Sequence, residues 1–395
     1  MDTATPSPAG TPTSTPPIPT APPIPVFRPY LGPEVHEATT AALTAGWIGM
    51  GANTARLEQE LGAYLGLGER PILTTSSGTA ALHMAAVLAG LGPGDEVICP
   101  SFTYVAGHQA MSQTGAEVVF CDIEERTFGI DVASARSVIT ERTKAIMAVH
   151  FSGIPCDLDG VYALAKEFGL RVIEDAAHAF GSFYKGRRIG SIGDLVAFSF
   201  GPVKIITTLE GGALVMPDRA AIQEAHELRL IGVDSDTEER YKNSRTWEYD
   251  VVRQGYRYHL GSIPAAIGLS QLAMVETFIR NRQAYCRTYN RQLAEIPEVK
   301  TPDTDYEDLA PFIYVIRVAD GETRRALMAH MKAQGVSTGI HFLGAHDFSF
   351  YEHCRRSDLS VTDRVSEQVI TLPLYSFMDD RTIDRVVGSI ASFFG

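Results

Sequence analysis

No stretch of the chain reaches the ~18 consecutive apolar residues that a membrane-crossing helix requires, so no membrane partner is expected. Cysteine is scarce. Five occur in 395 residues, at positions 99, 121, 156, 286 and 354, far apart and never as CxxC. That spacing excludes a disulfide scaffold and fits reduced thiols in a cytoplasmic protein, most of them small core residues; no metal is expected. Positive charge is also short, with 34 Lys and Arg against 47 Asp and Glu, a net charge of −13. With no basic block to offset that field, nucleic acid is not an expected partner, although a local basic pocket for a small anion stays open. Neither a GxGxxG fingerprint nor a Walker lysine is present, which disfavours a nucleotide P-loop. There is no internal repeat. Met1–Pro25 holds neither Lys nor Arg and no apolar segment, so no secretory signal is expected there and a cytoplasmic location is.

What remains is an ordinary globular composition, 45% hydrophobic and 21% charged, long enough for two domains. Residues 1–25 carry nine of the 22 prolines, too many missing N–H donors for helix or sheet, and read as a disordered, locally extended tail. From there on the pattern alternates. Glu96–Cys99, Ala116–Asp122, Ala145–His150 and Leu170–Asp175 are short apolar runs, and Leu158–Phe168 between the last two has helical spacing. Such alternation predicts right-handed βαβ units around a parallel sheet. Val196–Phe200 and Gly212–Met216 add two strand-like runs, and Ser262–Arg282 reads as one long helix followed by Tyr285–Leu293. The expected organisation is α/β, with a large mostly parallel-sheet domain over residues 26–282 and a smaller α+β domain over 283–395.

Three local features carry chemistry. Lys204 is the only charged residue between Asp194 and Glu210. Taken alone, such a lysine more often snorkels outward than works, but this one follows a strand and a Gly201-Pro202 turn and precedes two glycines that permit close backbone approach. Asp175 ends a buried strand at the sheet edge where open α/β folds bind ligands. A carboxylate there reads equally as a partner for a cationic ligand group or as a helix N-cap. Ser77-Gly78-Thr79 opens a helix, and the free N–H groups of such a start suit a phosphate. With the aromatic segment Phe102-Thr103-Tyr104 these features suffice to hold pyridoxal phosphate: anchor the phosphate, stack the ring, keep its nitrogen protonated and bond its aldehyde.

The blocks SSGTAALHMA (76–85), GDEVICPSFTYVA (94–106), VIEDAAHAFGS (172–182), FSFGPVKIITTLEGGALV (198–215), GYRYHLGSIPAAIGLSQL (255–272) and ITLPLY (370–375), in this order, resemble the sugar aminotransferases of the DegT/DnrJ/EryC1/StrS family, over about Pro25 to Gly395. The resemblance implies the type I, aspartate aminotransferase-like fold and pyridoxal 5′-phosphate as cofactor. It implies that Lys204 bonds the cofactor aldehyde, Asp175 pairs with the pyridine nitrogen, His178 lies near the 3-hydroxyl, Tyr104 stacks on the ring, and Gly78, Thr79 and Ser199 bind the phosphate. Arg257 stands where the family usually has an Asn that reaches the partner subunit's phosphate, and His259 stands where Arg is common. The segment around GIHFLGAHDFSFY makes His341 and His346 substrate-side candidates. The implied enzyme is a homodimer with interfacial active sites, moving an amino group from a donor such as L-glutamate to a keto group, C4 favoured over C3, of a nucleotide-linked deoxysugar. A cyclitol or aminobenzoate-type aminotransferase shares the same core, and a pyridoxal-phosphate-binding regulator without turnover is the non-enzyme alternative. Lys204 disfavours the dehydratases of this fold, which carry His at that position.

Overall fold

The computed structural model describes residues 22–233 and 249–395; residues 1–21 of the expected tail lie outside the described part. Its centre is a seven-stranded sheet. In chain order the strands are β1 (Ile72–Thr75), β2 (Glu96–Pro100), β3 (Glu117–Cys121), β4 (Thr143–Val149), β5 (Arg171–Asp175), β8 (Leu195–Ser199) and β9 (Gly212–Val215), with a small hairpin of β6 (Phe183–Tyr184) and β7 (Arg187–Arg188) between β5 and β8. The spatial order is β1-β9-β8-β5-β4-β2-β3. Only β9 runs against the others, pairing antiparallel with both β1 and β8.

The strands read as continuous apolar runs because both faces are covered. Along β4, Ile146 and Ala148 enter one core cluster while Ala145, Met147 and Val149 enter the cluster on the opposite face. Crossover helices supply the cover, as parallel pairing requires. The helix Leu158–Phe168 buries Val161, Leu164 and Ala165, one stripe at helical spacing. Asp157 caps its first turn by accepting from Gly160 N–H, and Gly169 ends it at φ +68°, a left-handed position that glycine adopts without strain.

Every parallel strand ends on the same edge of the sheet, so the segments leaving β1, β2, β4, β5 and β8 converge there. That convergence gathers residues 77–79, 103–104, 150, 175–178 and 199–204 from five distant parts of the chain.

A third core cluster sits in the C-terminal part. Strands β10 (Tyr314–Arg317) and β11 (Val369–Leu372) pair antiparallel under the helices Gly321–Ala333 and Asp380–Phe394. Two sequence expectations need correction here. The helix expected over Ser262–Arg282 breaks after Leu272, and its second half, Val275–Leu293, runs without interruption through the expected boundary at 282/283. Arg282, at the end of the expected helix, is buried and donates to the carbonyl of Phe312 at 3.0 Å and to Ser376 Oγ at 3.2 Å. The other concerns residue 24, inside the expected tail. Ile24 is buried in the C-terminal core, and its backbone pairs with Gly335 O (2.8 Å) and Ser337 N–H (2.9 Å).

Candidate active site

The edge of the sheet opens into a cavity of about 380 Å³. Gly78, Thr79, Tyr104, Asp175, His178, Ser199, Lys204 and His341 all line it. Local structure explains each placement. Ser77 is the N-cap of the helix Gly78–Leu88, its hydroxyl accepting from Ala80 N–H at 3.0 Å. Helix geometry leaves the N–H groups of Gly78 and Thr79 without intrahelical acceptors, a ready anion cradle. Position 78 has no room for a side chain, since a Cβ would lie 2.7 Å from Ser199 Cβ. Glycine is what lets the helix start approach the end of β8. Tyr104, as the N-cap of the helix Val105–Ser112, is held at the cavity rim, 59% exposed, 5.9 Å from the Phe342 ring.

Asp175 Oδ1 accepts from Ala177 N–H at 3.0 Å, which leaves Oδ2 for a ligand. Burial pushes this carboxyl above the ordinary carboxylate range, while the Ala177 N–H and the charges of Lys204 and His150 pull it back. Lys204 sits in the loop between β8 and β9. That loop is fastened by Phe200 N–H to Gly211 O (2.8 Å), Thr208 N–H to Phe200 O (3.0 Å) and Thr208 Oγ1 to Glu210 O (2.8 Å). Burial lowers the ammonium pKa to about 8, against the pull of Asp175 in the other direction. The result is an amine that is partly neutral near physiological pH, with its Nζ 4.2 Å from the Phe312 ring centroid.

Two of the lining histidines, His178 and His341, are neutral. Burial, then Lys204 and His341, drive His178 well below its ordinary pKa, and its Nδ1 accepts from Ser152 N–H at 3.4 Å. Burial, then Lys204, lowers His341 to about 4; its Nδ1 bonds Thr371 Oγ1 at 2.8 Å.

Two expected residues lie elsewhere. His346 does not line the cavity. Its ring is buried in a structural network, Nδ1 to Ser101 Oγ at 2.8 Å and Nε2 to Asp363 at 3.0 Å. Both ring nitrogens are therefore engaged, Nδ1 tying the 345–347 turn to the loop after β2 and Nε2 tying it to the helix Ser360–Gln368. Arg257 is exposed and outside this chain's cavity, in an isolated bridge with Leu230.

Several lining residues escaped the sequence reading. Phe27, Phe312 and Phe342 form an apolar wall facing the sheet edge. His150, directly after β4, sends Nε2 to the Glu174 carboxylate (3.0 Å), which also accepts from Tyr162 OH (2.6 Å). Its position one residue beyond a parallel strand is the same signal that singled out Asp175. Phe312 and Phe342 gave no such signal, because an apolar residue in a strand-like run reads as core.

The donor set fits pyridoxal phosphate: an amide and hydroxyl cradle that a Cβ would fill, a strand-end carboxylate with one free oxygen, and a lysine that burial has made nucleophilic. Comparisons with known proteins agree. Residues 29–391 match the DegT/DnrJ/EryC1/StrS aminotransferase family. The chain belongs to that family. An uncharacterized protein of Methanocaldococcus jannaschii is 34% identical over 376 residues, 93% of this chain and 96% of that protein. The sugar aminotransferase CalS13 from Micromonospora echinospora superposes with a TM-score of 0.84 at 28% identity, covering 93% of this chain and 99% of that one. Spr1654 from Streptococcus pneumoniae, solved in its PLP form, gives 0.86 at 28% identity, with 94% and 98% covered. This DegT/DnrJ/EryC1/StrS member is thus an aminotransferase of the type I fold, in a family that depends on pyridoxal phosphate. Among its described residues no single helix is long and apolar enough to cross a membrane.

Proposed function

We propose that the enzyme transfers an amino group from an amino acid such as L-glutamate to a keto carbon of a nucleotide-linked deoxysugar. C4 is favoured over C3 because the Gly201–Lys204 and Glu210–Gly212 segments resemble family members that act at C4. The observation that carries the reading is the opening of Lys204 and Asp175 into one cavity beneath the Gly78–Thr79 amides. In this reading Gly78, Thr79 and Ser199 hold the phosphate, Tyr104 stacks on the ring, and His178 lies by the 3-hydroxyl. When bound, pyridoxal phosphate supplies an aldehyde that takes up the donor's nitrogen and a ring that accepts the electron pair left on the donor's α-carbon.

Asp175 keeps a proton on the ring nitrogen, so the ring stays electron-poor; the carboxylate is desolvated in advance and gains a cationic partner on binding. Lys204 would bond the aldehyde, and its free amine, with a pKa lowered to about 8, would be suited to take the proton from the donor α-carbon and return it one position away. Neutral His178 and His341 add no competing cation beside that amine. The Phe312 and Phe342 rings keep water from it.

The proposed enzyme is a cytoplasmic homodimer, with exposed Arg257 reaching the partner subunit's phosphate site in place of the family's usual Asn. A guanidinium suits that task, since it binds phosphate oxygens bidentately. Purified protein is expected to show a visible cofactor band that borohydride fixes onto Lys204. L-glutamate should bleach the band and a nucleotide-linked 4-ketosugar should restore it. Restoration by an inosose and not by the ketosugar assigns the cyclitol reaction instead. A band that no amino donor bleaches identifies a regulator.

A further inference from the structure

The cavity has two chemically distinct walls. The sheet edge carries the polar groups used above: the amide cradle, Asp175, Ser199 and Lys204. The adjoining wall is aromatic, comes from different parts of the chain, and meets the polar one where Lys204 Nζ lies 4.2 Å from the Phe312 ring centroid. Phe312 precedes β10, His341 and Phe342 follow the helix Gly321–Ala333, and Phe27 comes from the N-terminal segment. Phe27 stacks on Phe312, with ring centroids 5.7 Å apart and planes within 4°, and meets His341 edge-on at 5.7 Å. These positions are fixed by backbone. Leu374 N–H donates to Val26 O (3.0 Å), Ile24 pairs with residues 335 and 337, and Arg282 holds the Phe312 carbonyl (3.0 Å). Among the described residues Lys204 is the only Lys or Arg lining the cavity, and His341 is held neutral. This wall therefore offers no charge to a carboxylate. What it offers is a continuous π-surface with one neutral imidazole at its edge.

We infer that Phe27 is a specificity-determining residue whose ring, stacked on Phe312, receives the apolar C–H face of the acceptor's deoxysugar ring. The inference rests on the functional reading above and extends it to the side of the cavity that the cofactor does not use. Aromatic faces bind such surfaces through area and C–H contact rather than hydrogen bonds, so the loss falls on acceptor recognition and not on proton transfer. Lys204 Nζ lies over Phe312, 4.2 Å from its centroid, and not over Phe27, so the donor's reaction at that amine has no need of the Phe27 ring.

The two half-reactions separate these roles. Phe27→Ala is expected to raise the KM for the nucleotide-linked ketosugar at least about tenfold, while bleaching of the cofactor band by L-glutamate stays within twofold of wild type. Phe27→Tyr, which keeps the stacking face, is expected to restore the acceptor KM. A purely structural role would instead slow both half-reactions together and lower cofactor occupancy in Phe27→Ala. That result, or an unchanged acceptor KM, overturns the inference. A wild-type enzyme that glutamate bleaches but no ketosugar recolours overturns the functional reading itself, and this assignment with it.

Discussion

Replacing Asp175 by Asn tests the electrostatics of the site with little disturbance of its shape. The amide oxygen still accepts from Ala177 N–H, the 3.0 Å bond that orients the side chain. What disappears is the negative charge facing the pyridine nitrogen. A buried hydrogen bond to a charged group contributes about 1.5–3 kcal/mol. At a factor of ten per 1.36 kcal/mol, the glutamate half-reaction should slow by about ten- to a hundredfold, read by stopped-flow bleaching of the cofactor band. Two further signatures separate this from simple damage. Asp175 is the group that holds the Lys204 ammonium up against burial, so its removal lowers that amine further below its present value of about 8. The rate at which cofactor-free protein takes up added pyridoxal phosphate should then reach its plateau at lower pH than in wild type. The carboxyl's own pKa is raised in the fold. Its favourable contribution to stability exists only at pH below its unfolded value and is lost as pH rises through the folded one, so at neutral pH the ionised group destabilises the cofactor-free protein. Cofactor-free Asp175→Asn should therefore melt no lower than wild type at pH 7. A half-reaction within twofold of wild type, or a slow variant that also unfolds early, refutes this reasoning.

Other perturbations have equally definite outcomes. In wild type, cofactor uptake should rise about tenfold per pH unit below about pH 8 and flatten above it, because only the neutral Lys204 amine attacks the aldehyde; a profile flat from pH 6 to 9 contradicts the lowered amine. Lys204→Ala removes the group that moves the proton and should cut transamination at least about a thousandfold in a steady-state assay, within the range that general bases contribute. Gly78→Ala places a Cβ 2.7 Å from Ser199 Cβ, forcing apart the helix start and the end of β8. Overpacking of this kind costs about 1–3 kcal/mol, and fluorescence titration should show cofactor affinity falling at least about tenfold. His346→Ala removes the buried partner of Ser101 Oγ and should lower stability by about 1–3 kcal/mol in denaturant titration, with KM for both substrates unchanged.

The sheet and its site were legible where one residue's chemistry clashed with its surroundings. A lone lysine in an uncharged loop and a carboxylate closing an apolar strand both stand out, and both line the cavity. Strands β2 to β5 were readable because burial on both faces turns them into apolar runs. The break after Leu272 was not, since Ala273 and Met274 are good helix formers and only packing ends the turn there. Sequence alone does not show the interior partners of Arg282 and His346. Each is polar, but both are partnered in the interior, one holding carbonyls of the C-terminal part and the other tying two loops. Phe27 was invisible for a different reason. It lies next to a proline-rich stretch, and only pairing of Ile24 with residues 335 and 337 brings it over the cavity.

The central claim is that the amine at 204 and the carboxylate at 175 grip opposite ends of one pyridoxal ring. A crystal structure of the cofactor-loaded enzyme measures this directly. The account predicts Nζ of Lys204 joined covalently to the aldehyde carbon and an Asp175 oxygen within hydrogen-bond reach, about 2.6–3.2 Å, of the ring nitrogen. A ring bonded to a different residue, or a ring nitrogen facing something other than Asp175, contradicts it.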